Sequence, residues 1–162
     1  MGCLFINKIF IMKYLFLLIS TFSYNQVPDH VKDFISKYEP LAQEVFEIYG
    51  VPKAVTLGVC AYETGFGRSH NARERKNFFG MKDFTLSCDD KNWCWKRYKN
   101  ARKSFYDFGR LLSKAKRYES LTKMNKKDYK AWCYGLRNCG YNRSENYPSR
   151  LISIIEKWEF AE

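Results

Sequence analysis

Glu63 is the residue whose setting most plainly suggests chemistry. It closes an apolar run, Ala54, Val55, Leu57, Val59, Cys60, Ala61 and Tyr62, and is followed by Gly65-Phe-Gly67. A short segment apolar nearly all round reads as a buried helix. Glu63 would then sit at the helix C-terminus, where the dipole is negative and the surroundings are apolar. Both effects disfavour the carboxylate and raise its pKa. A carboxylic acid kept protonated near neutral pH is what glycosidic cleavage needs, to protonate the leaving oxygen. The competing reading is a glutamate that passes the helix end into solvent, and position alone does not choose between the two.

The cysteines are the other candidates for chemistry, and the N-terminus decides how to read them. Lys8 and Lys13 flank an apolar stretch that continues through Tyr14-Leu-Phe-Leu-Leu-Ile19, with Thr21 and Ser23 at the −3 and −1 positions of a cleavage before Tyr24. Residues 1–23 are therefore expected to be a secretory signal peptide, with Met12 an alternative start, and residues 24–162 the mature domain. No stable membrane span is expected once that leader is cleaved. In an exported protein, Cys88 with Cys94 and Cys133 with Cys139, each pair six residues apart, read as two short-loop disulfides. The second bridge requires the chain to leave the helix before Cys139, because six helical residues rise about 9 Å, too far for a disulfide. Cys60 reads as a buried free thiol. Zinc ligand pairs sit closer together and the chain has 2 His, so no metal site or cofactor is expected.

These residues need a scaffold, and the chain is long enough for one. Its 162 residues are 46% apolar and 18% aromatic, too rich in core-forming side chains for disorder and right for one domain. Helical spacing appears at Val31, Phe34, Ile35 and Tyr38, and again from Pro40 to Gly50. Pro52 opens the run that ends in Glu63. Between Met81 and Lys99 the helical period disappears, and Phe84, Leu86, Trp93, Trp95 and Tyr98 suggest a small β-hairpin lobe. Helices resume with a capping box at Ser104 and Asp107, another at Asn125 and Asp128, and a last segment beginning at Pro148. The expected class is α+β, mostly helical. The net charge of +11 points to an anionic partner: nucleic acid, anionic lipid and wall polymer all fit.

Several segments in order narrow this further. Tyr49-Gly-Val-Pro-Lys-Ala-Val-Thr-Leu57 and Ala61-Tyr-Glu-Thr-Gly-Phe-Gly-Arg-Ser69 resemble the pattern of the bacterial endo-β-N-acetylglucosaminidase family, glycoside hydrolase family 73, which includes the flagellar rod-cap hydrolase domain and many autolysins. Lys76-Asn-Phe-Phe-Gly-Met-Lys82, Arg97-Tyr98, Ser104-Phe-Tyr-Asp-Phe108, Arg117-Tyr118-Glu-Ser-Leu121 and Gly140-Tyr-Asn142 with Tyr147-Pro-Ser-Arg-Leu151 continue it over roughly residues 30–160. Lys76 stands for the family's first Asn, Phe66 for its usual Trp, and Asn142-Arg-Ser144 for its Ala-Thr-Asp.

The resemblance implies a lysozyme-like fold with a cleft between helices and a β-lobe. It implies an endo-β-N-acetylglucosaminidase acting on peptidoglycan glycan strands after N-acetylglucosamine, with Glu63 as general acid. Tyr141 would shape or polarise the cleft, Asn77, Phe79 and Gly80 would line it, and Tyr147 would support the same wall. The family often places a second carboxylate in the β-lobe. Asp83, Asp89 and Asp90 are the candidates: Asp83 suits a turn, whereas Asp89 or Asp90, beside Cys88, would activate water or stabilise charge at the sugar ring. The protein is expected to act as a monomer, periplasmic or secreted, and the export signal argues against nucleic acid. A lytic transglycosylase of the same fold and a non-catalytic basic wall-binding module are the alternatives.

Overall fold

The computed structural model describes residues 27–85 and 94–161. The expected signal peptide, Cys88, Asp89 and Asp90 lie outside the described residues.

The first helix among the described residues is a single 21-residue one, α1 (Asp29–Tyr49), that continues through Pro40. Two helices parted at Pro40 were expected. An interior proline costs about 3 kcal/mol. Here Val31, Phe34, Tyr38, Ala42 and Val45 stay on one buried stripe across it. Fully burying a large apolar side chain contributes about 1.5–3 kcal/mol, so two such residues in register offset the proline. Gly50, in the left-handed region at φ +68°, ends the helix and donates its N–H to Phe46 O.

Helix α2 (Lys53–Thr64) is the central one, with every residue from Ala54 to Ala61 buried. It packs between α1 and the C-terminal helix α7 (Tyr147–Lys157). A Cβ added at Gly58 would lie 2.8 Å from Ile155 Cγ1, so glycine permits the close approach of α2 and α7. Short helix α3 (His70–Arg75) follows, capped by the Ser69 hydroxyl accepting from Ala72 N–H.

Helix α4 (Ala101–Lys114) starts one turn earlier than the Ser104–Asp107 box suggested, with Asn100 as its cap. Ser104 is buried inside the helix, and its hydroxyl accepts from Phe78 N–H instead. A 3-10 turn (Lys116–Tyr118), α5 (Glu119–Thr122) and α6 (Tyr129–Asn138) lead to α7. Asp128 caps α6, accepting from Ala131 N–H at 2.9 Å.

The β-hairpin lobe and the α+β class are corrected by the structure. Among the described residues there is no strand, and the fold is helical. What stands in place of the hairpin is one isolated antiparallel bridge between Lys82 and Trp95, flanked by Asp83 N–H to Cys94 O and Lys96 N–H to Met81 O. The aromatic residues that suggested strands serve other contacts: Phe84 is 89% exposed, and Tyr98 donates to the Asp107 carboxylate.

Cys94 is disulfide-bonded, and Cys60, Cys133 and Cys139 are free thiols, so the partner of Cys94 lies outside the described residues. The expected Cys133–Cys139 bridge is not formed. Cys139 is the C-cap of α6 with near-helical backbone, so the chain has not left the helix soon enough to bring the two sulfurs together. Cys133 faces the core, and Cys139 Sγ lies 3.4 Å from the Ser120 hydroxyl.

Candidate active site

Glu63 occupies the last turn of α2, half-buried, on a cleft of about 1050 Å³. Burial pushes its pKa up to about 7. The apolar helix that carries it supplies that burial, as the sequence suggested, and the solvent-passing alternative does not hold. The raised value thus comes from burial rather than from a neighbouring charge.

Beside Glu63 runs the segment Asn77–Met81, held at each residue. The Asn77 amide donates to Met81 O (2.8 Å) and Lys96 O (3.0 Å), while its oxygen accepts from Met81 N–H (3.0 Å). Phe78 N–H donates to the buried Ser104 hydroxyl at 3.0 Å. The Phe79 ring stacks on Phe108 with centroids 4.1 Å apart, and its carbonyl accepts from the Tyr141 hydroxyl at 2.8 Å. Gly80 then adopts φ +60°, and a Cβ there would stand 3.4 Å from Glu63 Oε2 and 3.6 Å from the Trp95 ring. The glycine leaves room for a substrate oxygen next to the acid.

The described residues expected to form the cleft divide into two groups. Glu63, Phe79, Gly80 and Tyr141 all line the cleft. Asn77 does not: it is 1% exposed and its amide is consumed by the backbone it pins. Tyr147 is also behind the wall, fully buried against Tyr62 and Tyr141, with its hydroxyl unpartnered. Both belong to the support of the site, because each lies one residue layer behind the surface that substrate could touch.

Sequence reasoning gave no cleft role to Lys82, Trp95, Lys96, Arg117 or Arg143, all of which line it. Asp83 lines it too, but the turn reading of this residue is correct: Oδ1 accepts from Thr85 N–H (3.0 Å) and hydroxyl (2.6 Å), which hold the carboxyl below its ordinary value. Lys96 is spent on Asp107 at 2.9 Å. One signal for Arg143 was available, since it lies in the departure Asn142-Arg-Ser144 directly after Tyr141.

The family model described as glucosaminidase, mannosyl-glycoprotein endo-beta-N-acetylglucosaminidase, matches residues 39–160. The chain belongs to this glucosaminidase family. The match takes in Glu63, the pinned segment 77–81, Tyr141 and Tyr147 together. The peptidoglycan hydrolase FlgJ of Vibrio parahaemolyticus is 25% identical over 150 residues, covering 81% of this chain and 48% of the relative. The chain thus spans about half the length of that curated protein. Among solved structures, a peptidoglycan hydrolase from Sphingomonas sp. A1 aligns with TM-score 0.66 at 21% identity, covering 76% of this chain and 86% of that one. The truncated glycoside hydrolase domain of Salmonella typhimurium FlgJ aligns with TM-score 0.64 at 23% identity, covering 80% and 97%. At these identities the structural likeness is one of fold. Family membership and the acid-bearing cleft agree on a glycoside hydrolase.

Proposed function

We propose that this glucosaminidase is a peptidoglycan hydrolase that cleaves the β-1,4 bond after N-acetylglucosamine, with Glu63 as general acid. The observation that carries the reading is a half-buried carboxyl, pushed up to about 7, opening on a cleft large enough for a glycan strand. Glu63 donates its proton to the glycosidic oxygen as the bond breaks, and the adjacent Gly80 lets that oxygen approach. Tyr141 shapes the cleft by fixing the Phe79 carbonyl; its burial keeps the phenol protonated. The second carboxylate is assigned to Asp89 or Asp90, since Asp83 is committed to its turn. Its task is to activate water or to stabilise charge at the sugar ring. The substrate is outside the cytoplasm, which agrees with the exported location read from residues 1–23.

Purified sacculi treated with wild type and with Glu63→Gln, followed by borohydride reduction of the fragments, test this. Reduced N-acetylglucosamine ends from wild type and none from the variant are expected. Reduced muramic ends would assign the other glycan bond, anhydro ends would assign a transglycosylase, and wall binding without new ends would assign a non-catalytic module.

A further inference from the structure

The charge in the cleft is unevenly distributed. Of its cations, Lys96 is paired with Asp107, and Lys82 sits in the segment that also carries Asp83. Arg117 and Arg143 come from elsewhere, the 3-10 turn after α4 and the loop between α6 and α7. Neither makes an ion pair among the described residues. Arg117 lies over the Tyr118 ring, 4.5 Å from its centroid, and donates to the Tyr118 hydroxyl, which orients the guanidinium and leaves donors unused. Arg143 is exposed and follows Tyr141 by two residues. With Glu63 half protonated near neutral pH and the Asp83 carboxyl bonded within its own turn, the cleft lining holds two guanidinium groups that make no ion pair among the described residues.

We infer that Arg117 and Arg143 form a carboxylate-binding subsite that selects glycan strands by the free carboxylates of their peptide side chains. The inference rests on the peptidoglycan-hydrolase reading and deepens it by naming the substrate form. A guanidinium presents paired N–H donors that match a carboxylate or a phosphate. Wall glycan offers both anions: carboxylates on peptides attached to alternate sugars, and phosphodiesters on secondary polymers. The peptide carboxylate is the better fit, because every strand carries one next to each scissile bond, and both arginines share the cleft with Glu63. A strand whose carboxylates are capped as amides is neutral and would leave both guanidinium groups without a partner.

The test compares three soluble strands prepared from the same wall: with free carboxylates, with all carboxylates capped as amides by carbodiimide coupling, and capped but carrying a phosphodiester polymer. New reducing ends give kcat/KM for wild type, Arg117→Gln, Arg143→Gln and Lys103→Gln, the last removing an exposed charge from α4 outside the cleft. Wild type is expected to favour free-carboxylate over capped strands by at least about tenfold, the scale of a charge-assisted hydrogen bond. Either arginine variant should lower that ratio severalfold, and Lys103→Gln should not. Equal turnover of free-carboxylate and capped strands overturns this inference while leaving the hydrolase reading intact. So does a Lys103→Gln ratio that falls as far as the arginine variants, which would make net charge the cause. Capped phosphodiester strands turned over as well as free-carboxylate strands would assign the subsite to phosphate instead. Failure of wild type to cleave any of the three removes the hydrolase reading, and this inference with it.

Discussion

The Tyr141 hydroxyl donates to the Phe79 carbonyl across 2.8 Å, joining the loop after α6 to a segment 62 residues earlier in the chain. The next residue is Gly80, whose absent side chain would have faced Glu63 Oε2. One hydrogen bond therefore links the position of the acid's neighbour to the C-terminal helices. Tyr141→Phe should cost about 1 kcal/mol of stability, the usual net worth of such a bond, and lower kcat more than it raises KM. Urea unfolding and steady-state kinetics on wall fragments read both.

Adding a side chain at Gly80 should be more damaging to activity than to the fold. A left-handed alanine costs roughly 1–2 kcal/mol, and its Cβ would crowd the Glu63 carboxyl at 3.4 Å. Gly80→Ala is expected to fold, with Tm down by several degrees, and to lose most of its hydrolysis. Near-wild-type turnover would show that substrate does not pass between Gly80 and Glu63.

Glu63 should leave a signature in both activity and stability. With the folded pKa at about 7, the acid form is lost as pH rises above it, and activity should fall about tenfold per unit there. For stability the sign is that of a raised carboxyl. Below its ordinary value of 4.5 both folded and unfolded chains hold the proton and nothing changes. Between 4.5 and about 7 the folded state binds more protons, so stability declines as pH rises and then levels off. The full cost is about 3 kcal/mol. Glu63→Gln should therefore melt higher than wild type at pH 8, with the gap closing at pH 4, as calorimetry at the two values would show.

Removing the Tyr147 hydroxyl should cost nothing. It is buried without a hydrogen-bond partner, so Tyr147→Phe deletes an unsatisfied polar group and keeps the ring contacts with Tyr62 and Tyr141. Equal or slightly raised Tm is expected. A loss above about 1 kcal/mol would reveal a partner for that hydroxyl.

Alkylation under denaturing, non-reducing conditions should label Cys60, Cys133 and Cys139 and spare Cys94. Peptide mapping that finds Cys133 joined to Cys139 would return the bridge that the helical cap geometry argues against.

Local pattern alone determined the central helix. The run from Ala54 to Tyr62 is apolar nearly all round, so it had to be enclosed, whereas the burial of the carboxyl at its end was decided by the tertiary structure. The segments around Gly80 and Tyr141 were legible only through the family resemblance, which carried their roles over by position. What the sequence did not disclose depends on partners distant along the chain. Pro40 stays helical because α2 and α4 cover the stripe on both sides of it. Ser104 is no cap because Phe78, 26 residues away, supplies its donor. Alternating aromatics between Met81 and Lys99 promised strands, yet a ladder needs a second strand in register, and the described chain offers one bridge. Asn77 and Tyr147 carry side chains suited to binding sugar, and only packing could show that other parts of the protein had already taken them.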